Sequence, residues 1–167
     1  SDTEWVFIDG SYVKAHQHSA GAASHDQEAI GLSRGGKTSK IHLAVDGYGL
    51  PIAFEITGGE VHDAKAAPDL LAQVSIGAML IADTGYDSQA IRDSVELSGK
   101  ATSIPRRKNS KIGNSGLDKC MYSLRHLVEN MFARLKHFRA IATRYDKLKR
   151  NFVSLVALAC AFIWLPM

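Results

Sequence analysis

Residues 78–83 read A-M-L-I-A-D, five apolar residues in a row closed by a carboxylate. The run is too short for a stable helix and does not alternate, which is the pattern of a strand buried on both faces. Such a strand needs helices above and below its sheet, so it constrains the chain to an α/β architecture. The neighbouring segments supply them. Residues 64–74 form a helical stretch with Asp63 as N-cap and Pro68 early in it; residues 89–97 form a second, capped by Asp87 or Ser88. Residues 101–104 add another short strand. Asp83, at the C-terminal end of the buried strand, stands where open sheets place ligands.

Upstream, residues 5–14 (W-V-F-I-D-G-S-Y-V-K) are rich in aromatic and β-branched residues and read as a strand with Asp9 in its middle. A carboxylate in so apolar a run needs a partner, a capping role or a metal ion. Followed by Gly-Ser, it could simply end the strand. Residues 41–45 and 52–57 are two further strands joined by D-G-Y-G-L-P, a hairpin-type turn in which Asp46 is a turn residue. The first three strands form an antiparallel meander.

Residues 122–136 belong to one helix spanning 118–138 that has three faces instead of two. At about 100° per residue, Tyr122, Arg125, Glu129 and Lys136 fall within an arc of about 60°. Met121, Leu124, Leu127, Val128, Met131, Phe132, Leu135 and Phe138 make a broad core face, and Ser123, His126, Asn130, Ala133, Arg134 and His137 a solvent face. The third face is a stripe of one carboxylate flanked by cations and a phenol. An ion pair of Glu129 with Arg125 or Lys136 is its structural reading; a site is its functional one.

The net charge of +3 hides an asymmetry: residues 1–99 hold 6 Lys/Arg against 14 Asp/Glu, and residues 100–150 hold 14 against 3. A solvated basic face or a nucleic-acid partner both fit that excess. The basic, Gly-containing loop that follows Pro105, with Arg106, Arg107 and Lys108, suits phosphate contact or plain solvation. Residues 15–40 read as a polar loop with scattered His16, His18 and His25, whose spacing does not suit zinc. Within it, residues 31–38 (G-L-S-R-G-G-K-T) match the phosphate-loop pattern, but no apolar strand precedes them and an alternating strand pattern follows. Nucleotide binding is therefore set aside, and Arg34, Lys37 and Lys40 are read as contacts to a nucleic-acid backbone. Cys120 and Cys160 lie in apolar helical patterns and read as reduced core residues of a cytosolic protein. Residues 152–165 are an apolar run too short to cross a bilayer comfortably, so they read as a buried core helix without a membrane role. No secretory leader pattern opens the chain.

The order is a strand with Asp, two strands, a helix, a strand with Asp, a helix, a strand and a helix with Glu, in one domain over residues 1–167. That is the order of a ribonuclease H-like mixed sheet flanked by helices, in which such acids converge on divalent metal. Three carboxylates suit Mg²⁺, a hard ion that prefers oxygen ligands. The chain resembles the DDE transposases of bacterial insertion sequences, in particular the catalytic domain of the insertion sequence four/five superfamily. The resemblance covers nearly all of the chain. It is carried by Tyr122, Arg125, Glu129 and Lys136 at the family's spacing Y-(2)-R-(3)-E-(6)-K. Two acid motifs precede these residues, F-I-D-G-S around Asp9 and I-A-D-T-G-Y-D-S around Asp83. The short interval from Asp83 to Glu129 leaves no room for the β-rich insertion that some relatives carry.

The resemblance implies that Asp9, Asp83 and Glu129 are catalytic and hold two Mg²⁺ (or Mn²⁺) ions. It implies hydrolysis at a transposon end to free a 3′-OH, then direct attack of that 3′-OH on target DNA. Tyr122, Arg125 and Lys136 would hold DNA near the cleaved end. The implied partners are double-stranded DNA, as element ends and target, and further copies of the chain assembled on it, in the bacterial cytoplasm at the nucleoid. The DNA-binding region that relatives carry before the first acid strand is expected to be absent or separately encoded. A catalytically inactive DNA-binding remnant is the alternative.

Overall fold

The structure is a computed structural model that describes residues 1–19, 21 and 25–165, without the side chains of residues 25 and 26. Its longest strand, β1 (Trp5–Ala15), runs through the middle of the sheet. Phe7 and Val13 pack into one core layer and Val6 and Ile8 into the other. The strand is thus covered on both faces, which its apolar content requires. β3 (Gly36–Val45) lies antiparallel to β1 with Asp9 opposite Leu43, and β4 (Pro51–Gly58) pairs antiparallel with β3. On the other side of β1 lies β5 (Met79–Ala82), parallel to it with Ile8 beside Ala82, and then β6 (Ala101–Ser103), parallel again. The central order β4-β3-β1-β5-β6, two antiparallel steps followed by two parallel ones, is the ribonuclease H-like mixed sheet expected from the sequence.

Parallel neighbours need crossover connections. α2 (Asp63–Leu71) makes the crossover into β5, and α3 (Gln89–Leu97) the one from β5 to β6. Ala67 and Leu70 of α2 and Ile91 and Val95 of α3 pack with Val6, Ile8 and Leu80 on one face. α5 (His126–Lys136) and α7 (Lys149–Trp164) cover the other face, where Val128, Met131, Leu135, Phe152 and Val156 meet Phe7, Leu43 and Ile81. Asp46 ends β3 as expected: it is fully buried, and its Oδ1 accepts from the N–H groups of Tyr48 and Leu50.

Residues 15–40 depart from the expected loop. They contain a 3₁₀ turn at Gln17–Ser19, α1 (His25–Glu28), β2 (Gly31–Ser33) and the start of β3. Gly31 pairs with Thr38 and Ser33 with Gly36, whose φ of 89° turns the chain. The phosphate-loop pattern is therefore a β-hairpin, and its backbone is committed to strand pairing. Polar composition was overridden by tertiary contact. The fully buried Arg144, in β7 (Thr143–Arg144), donates to the carbonyls of Glu28 and Ala29 and to Ser39 Oγ, tying the segment to the sheet. His16 stacks on Tyr145 at 4.6 Å; the side chain of His25 lies outside the described residues.

Two core assignments also need correction. α7 is buried along one side only: Phe152, Val156, Ala159 and Cys160 are buried, whereas Leu158 and Phe162, and Leu165 just past the helix, are exposed. Cys160 is the core thiol expected, but Cys120 is exposed because the short helix that carries it buries no residue. Among the described residues no helix is long and apolar enough to cross a membrane.

Candidate active site

Ile8 and Ala82 are the last paired residues of β1 and β5, so Asp9 and Asp83 follow side by side where the two parallel strands end their pairing. Each acid is oriented by a glycine close after it: the Gly10 N–H donates to Asp9 Oδ1 at 2.8 Å, and the Gly85 N–H to Asp83 Oδ1 at 2.6 Å. Burial pushes the Asp9 carboxyl up to about 6; the Gly10 bond and Arg125 oppose this, and Asp83 and Glu129 add to it. Three acids within electrostatic reach of one another hold more negative charge than the site balances by itself.

The helix expected over 118–138 is two helices. α4 (Lys119–Ser123), capped by Asp118 through Met121 N–H at 2.9 Å, is separated from α5 by a tight turn at Leu124 and Arg125. Leu124 N–H bonds Met121 O, Arg125 N–H bonds Tyr122 O and Leu127 N–H bonds Leu124 O, all at the i→i+3 spacing of a 3₁₀ turn. Spacing patterns in a sequence are blind to a one-turn tightening of this kind. The core and solvent faces survive the break: Val128, Met131, Phe132 and Leu135 are buried, and Ser123, His126, Asn130 and Arg134 are exposed.

The stripe between those faces meets the acids. Arg125 Nη1 donates to Asp9 Oδ2 at 2.8 Å, and Nη2 donates to Glu129 Oε1. The Tyr122 ring lies 5.8 Å from the guanidinium. Lys136 Nζ donates to Ser11 Oγ at 2.7 Å, two residues along β1 from Asp9. Burial alone would lower the Arg125 guanidinium, but Asp9 and Glu129 outweigh it and hold it above its usual range. Asp9, Asp83, Tyr122, Arg125, Glu129 and Lys136 thus come together from residues more than a hundred positions apart.

The donor set suits a divalent cation: carboxylate oxygens from β1, from the residue after β5 and from α5, with Asp9 held toward its neutral form by burial first and by the neighbouring Asp83 and Glu129 second. Among the described residues no three carboxylate, imidazole or thiol groups already stand as a ligand set. The Arg125 guanidinium stands between Asp9 and Glu129 and acts there as an internal cation. Glu129, paired with Arg125, keeps half of its side chain exposed.

The other basic residues divide. Arg106, Arg107 and Lys108 follow β6 in a loop that starts at the same end of the sheet as Asp83. The loop is fastened by Asp87, which accepts from Arg107 N–H at 2.9 Å and from Arg92 at 2.8 Å; Asp87 is thus occupied here instead of capping α3. Arg34 and Lys37 lie on the β2–β3 hairpin, beyond the pairing of Thr38 with Lys14. Lys14 lies five residue steps along the strand from Asp9, about 17 Å at the usual rise, so the hairpin is not brought to the acids. Lys40 is 4% exposed and cannot contact a nucleic-acid backbone; its Nζ donates to Val61 O and lies 3.1 Å from Asp63.

Asp63 is the residue that sequence reasoning misplaced. His62 occupies the N-cap position of α2 without a side-chain cap, and the Asp63 carboxylate turns inward to Lys40 and to His42 Nδ1, 3.5 Å away. The available signal was Lys40 and His42 at alternate positions of the apolar strand K-I-H-L-A-V, an ammonium that needs a counter-charge when buried and an imidazole that needs polar partners.

A family model for the transposase DDE domain matches residues 1–164. A Brucella ovis protein named as a transposase for insertion sequence element IS6501 is 35% identical over 128 residues, 77% of this chain and 98% of that protein. A Burkholderia cepacia protein named as a transposase for element IS402 is 28% identical over 136 residues, 75% of this chain and 62% of that protein. A piggyBac transposase, in a synaptic complex with hairpin DNA, covers 67% of this chain and 25% of its own with a TM-score of 0.43 and 13% identity.

Proposed function

The chain belongs to the transposase DDE domain family, and on that premise we propose that it is the catalytic domain of an insertion-sequence transposase. It cleaves DNA strands at element ends in a metal-dependent reaction and transfers the freed 3′-OH into target DNA. The observation that supports this reading is that Asp9 and Asp83 each follow directly on the last pair of the β1–β5 ladder, Ile8 with Ala82, and that Glu129 is joined to Asp9 through Arg125.

Asp9, Asp83 and Glu129 are the residues that would hold two Mg²⁺ or Mn²⁺ ions. When bound, such ions supply Lewis acidity at phosphorus and a clamp on the entering and leaving oxygens. The chain's own residues do the rest. Arg125 is released from its carboxylates and turns its planar fork to a phosphate, where two parallel bonds are available. Tyr122 packs beside it and offers a hydroxyl to the backbone. Lys136 exchanges Ser11 for a phosphate near the cleaved end. Arg106, Arg107 and Lys108 neutralise phosphates further along, and they position the duplex without reading its sequence. Double-stranded DNA in the bacterial nucleoid is the substrate, and a second copy of the chain engages the other element end.

The test is the chemistry of the product. Supercoiled plasmid incubated with the chain and Mg²⁺ or Mn²⁺ should be nicked, leaving 3′-OH ends that a polymerase extends. Nicks with blocked 3′ ends, or nicking that persists in a chelator, would overturn the reading.

A further inference from the structure

On the face of β1 opposite Asp9 lies a polar cluster that the proposed chemistry does not use. Its centre is Asp63, at the first position of α2. Lys40 Nζ lies 3.1 Å from its Oδ1 and His42 Nδ1 3.5 Å. His42 is fixed in turn by the Tyr86 hydroxyl at 3.2 Å and Thr57 Oγ1 at 2.9 Å, and both His42 and Tyr86 are fully buried. Asp63 Oδ1 is itself buried without a hydrogen bond, so its contact with the Lys40 ammonium is what balances it.

Two glycines connect this cluster to the acids. A Cβ built on Gly10 would fall 2.7 Å from Asp63 Oδ1; one built on Gly85 would fall 2.6 Å from Asp63 Oδ2 and 2.8 Å from Asp83 Oδ1. Gly10 and Gly85 are the residues whose N–H groups orient Asp9 and Asp83. Each acid is therefore held by a glycine, and both glycines rest against one carboxylate.

We infer that Asp63 is a positioning residue for the acid pair. Its carboxylate, fixed from behind by Lys40 and His42, spaces the Gly10 and Gly85 backbones and thereby sets the separation of Asp9 and Asp83. Side chains supporting a ligand set typically change metal affinity 10–100-fold when removed. Asp63 reaches the site through two backbones, so the lower end of that range is expected. The inference rests on the reading of Asp9 and Asp83 as metal-holding residues.

The experiment measures Mn²⁺ affinity by the loss of the free-ion electron paramagnetic resonance signal, together with thermal melting, on the full chain without DNA. Asp63→Ala leaves Lys40 buried and unpaired, so Asp63→Ala with Lys40→Met is made alongside it, and Asp63→Asn serves as the conservative variant. The folded double variant should bind Mn²⁺ about tenfold more weakly, whereas Asp63→Asn, which keeps the volume behind the glycines, should bind within about threefold of the parent. Parent-like Mn²⁺ binding by the folded double variant would overturn the inference. So would an Asp63→Asn variant as weak as the double, since charge rather than spacing would then be responsible. Asp83→Asn is the control. If it binds Mn²⁺ as the parent does, or if the parent binds none, the reading of the acids fails and this inference with it. If Asp83→Asn loses binding and the double variant does not, this inference fails alone.

Discussion

Arg125 bridges Asp9 on the central strand and Glu129 four residues along the chain, with its Nη1 2.8 Å from Asp9 Oδ2. One guanidinium thus joins two of the three acids from the junction of two helices, and it holds the place between them that a metal ion would contest.

Removing that internal cation should destabilise the metal-free protein. Arg125→Ala leaves the mostly buried Asp9 without its counter-charge, and a loss of about 1–3 kcal/mol is expected, below the range for a fully buried pair. Urea unfolding measures it. Added Mg²⁺ should recover more stability in the variant than in the parent, since the ion then replaces a missing charge. An equal gain in both would mean that Arg125 and the ion do not share a place.

The pH dependence contains two opposed contributions. Burial raises Asp9 from 3.8 to about 6, so between those values the unfolded chain has ionised while the folded one keeps its proton. Stability therefore falls as pH rises through that window. Burial lowers His42 from 6.5 to about 4, helped by Lys40 and opposed by Asp63, so the unfolded chain takes up a proton that the folded one refuses. Stability from this source falls as pH drops from 6.5 toward 4. The two slopes offset each other in the metal-free parent. Asp9→Asn should expose the His42 slope, with thermal stability declining on acidification, and His42→Gln should expose the opposite one. Melting curves across pH 4 to 7 without metal would reveal both.

A side chain at Gly10 has no room. Gly10→Ala sets a methyl 2.7 Å from Asp63 Oδ1, so the carboxylate must move from its place beside Lys40 and His42 or the strand must give. Overpacking of this kind costs about 1–3 kcal/mol, and Mn²⁺ binding should weaken with it because the Gly10 N–H holds Asp9. Gly99→Ala is a contrasting control: nothing lies within 4 Å of its Cβ, and only its φ of 73° is strained. It should lose stability and keep Mn²⁺ affinity.

DNA affinity should divide the cations by place. Lys136→Ala and Arg107→Ala should each weaken binding about equally on any sequence and reduce the salt slope by about 1. Arg34→Ala and Lys37→Ala, on the distant hairpin, should leave the cleavage rate at saturating DNA unchanged. Fluorescence anisotropy over a salt series, with nicking rates, separates the two groups.

The elements legible in the sequence were those whose pattern has one physical solution. The unbroken run before Asp83 could only be a doubly covered strand, and Tyr122, Arg125, Glu129 and Lys136 kept one face even though their helix breaks. The break escaped because apolar spacing does not register an i→i+3 turn. Asp63 escaped because a residue at a helix start has two uses, capping its own helix or reaching into a neighbour. The choice depends on which side chains the sheet brings opposite, here Lys40 and His42. Cys120 and the outer side of α7 escaped for a related reason: apolar composition states what could be buried, and the packing partners decide what is.

The most direct measurement is nicking of supercoiled plasmid in Mg²⁺ or Mn²⁺ by the parent chain and by Glu129→Gln, an isosteric change that removes one carboxylate charge and leaves the fold and the basic stripe in place. If Asp9, Asp83 and Glu129 hold the metal, the parent nicks and the variant retains DNA binding but is slower by at least about a thousandfold, an effect of about 4 kcal/mol. Nicking that persists at the parent rate in Glu129→Gln would contradict the assignment of the chemistry to these three acids.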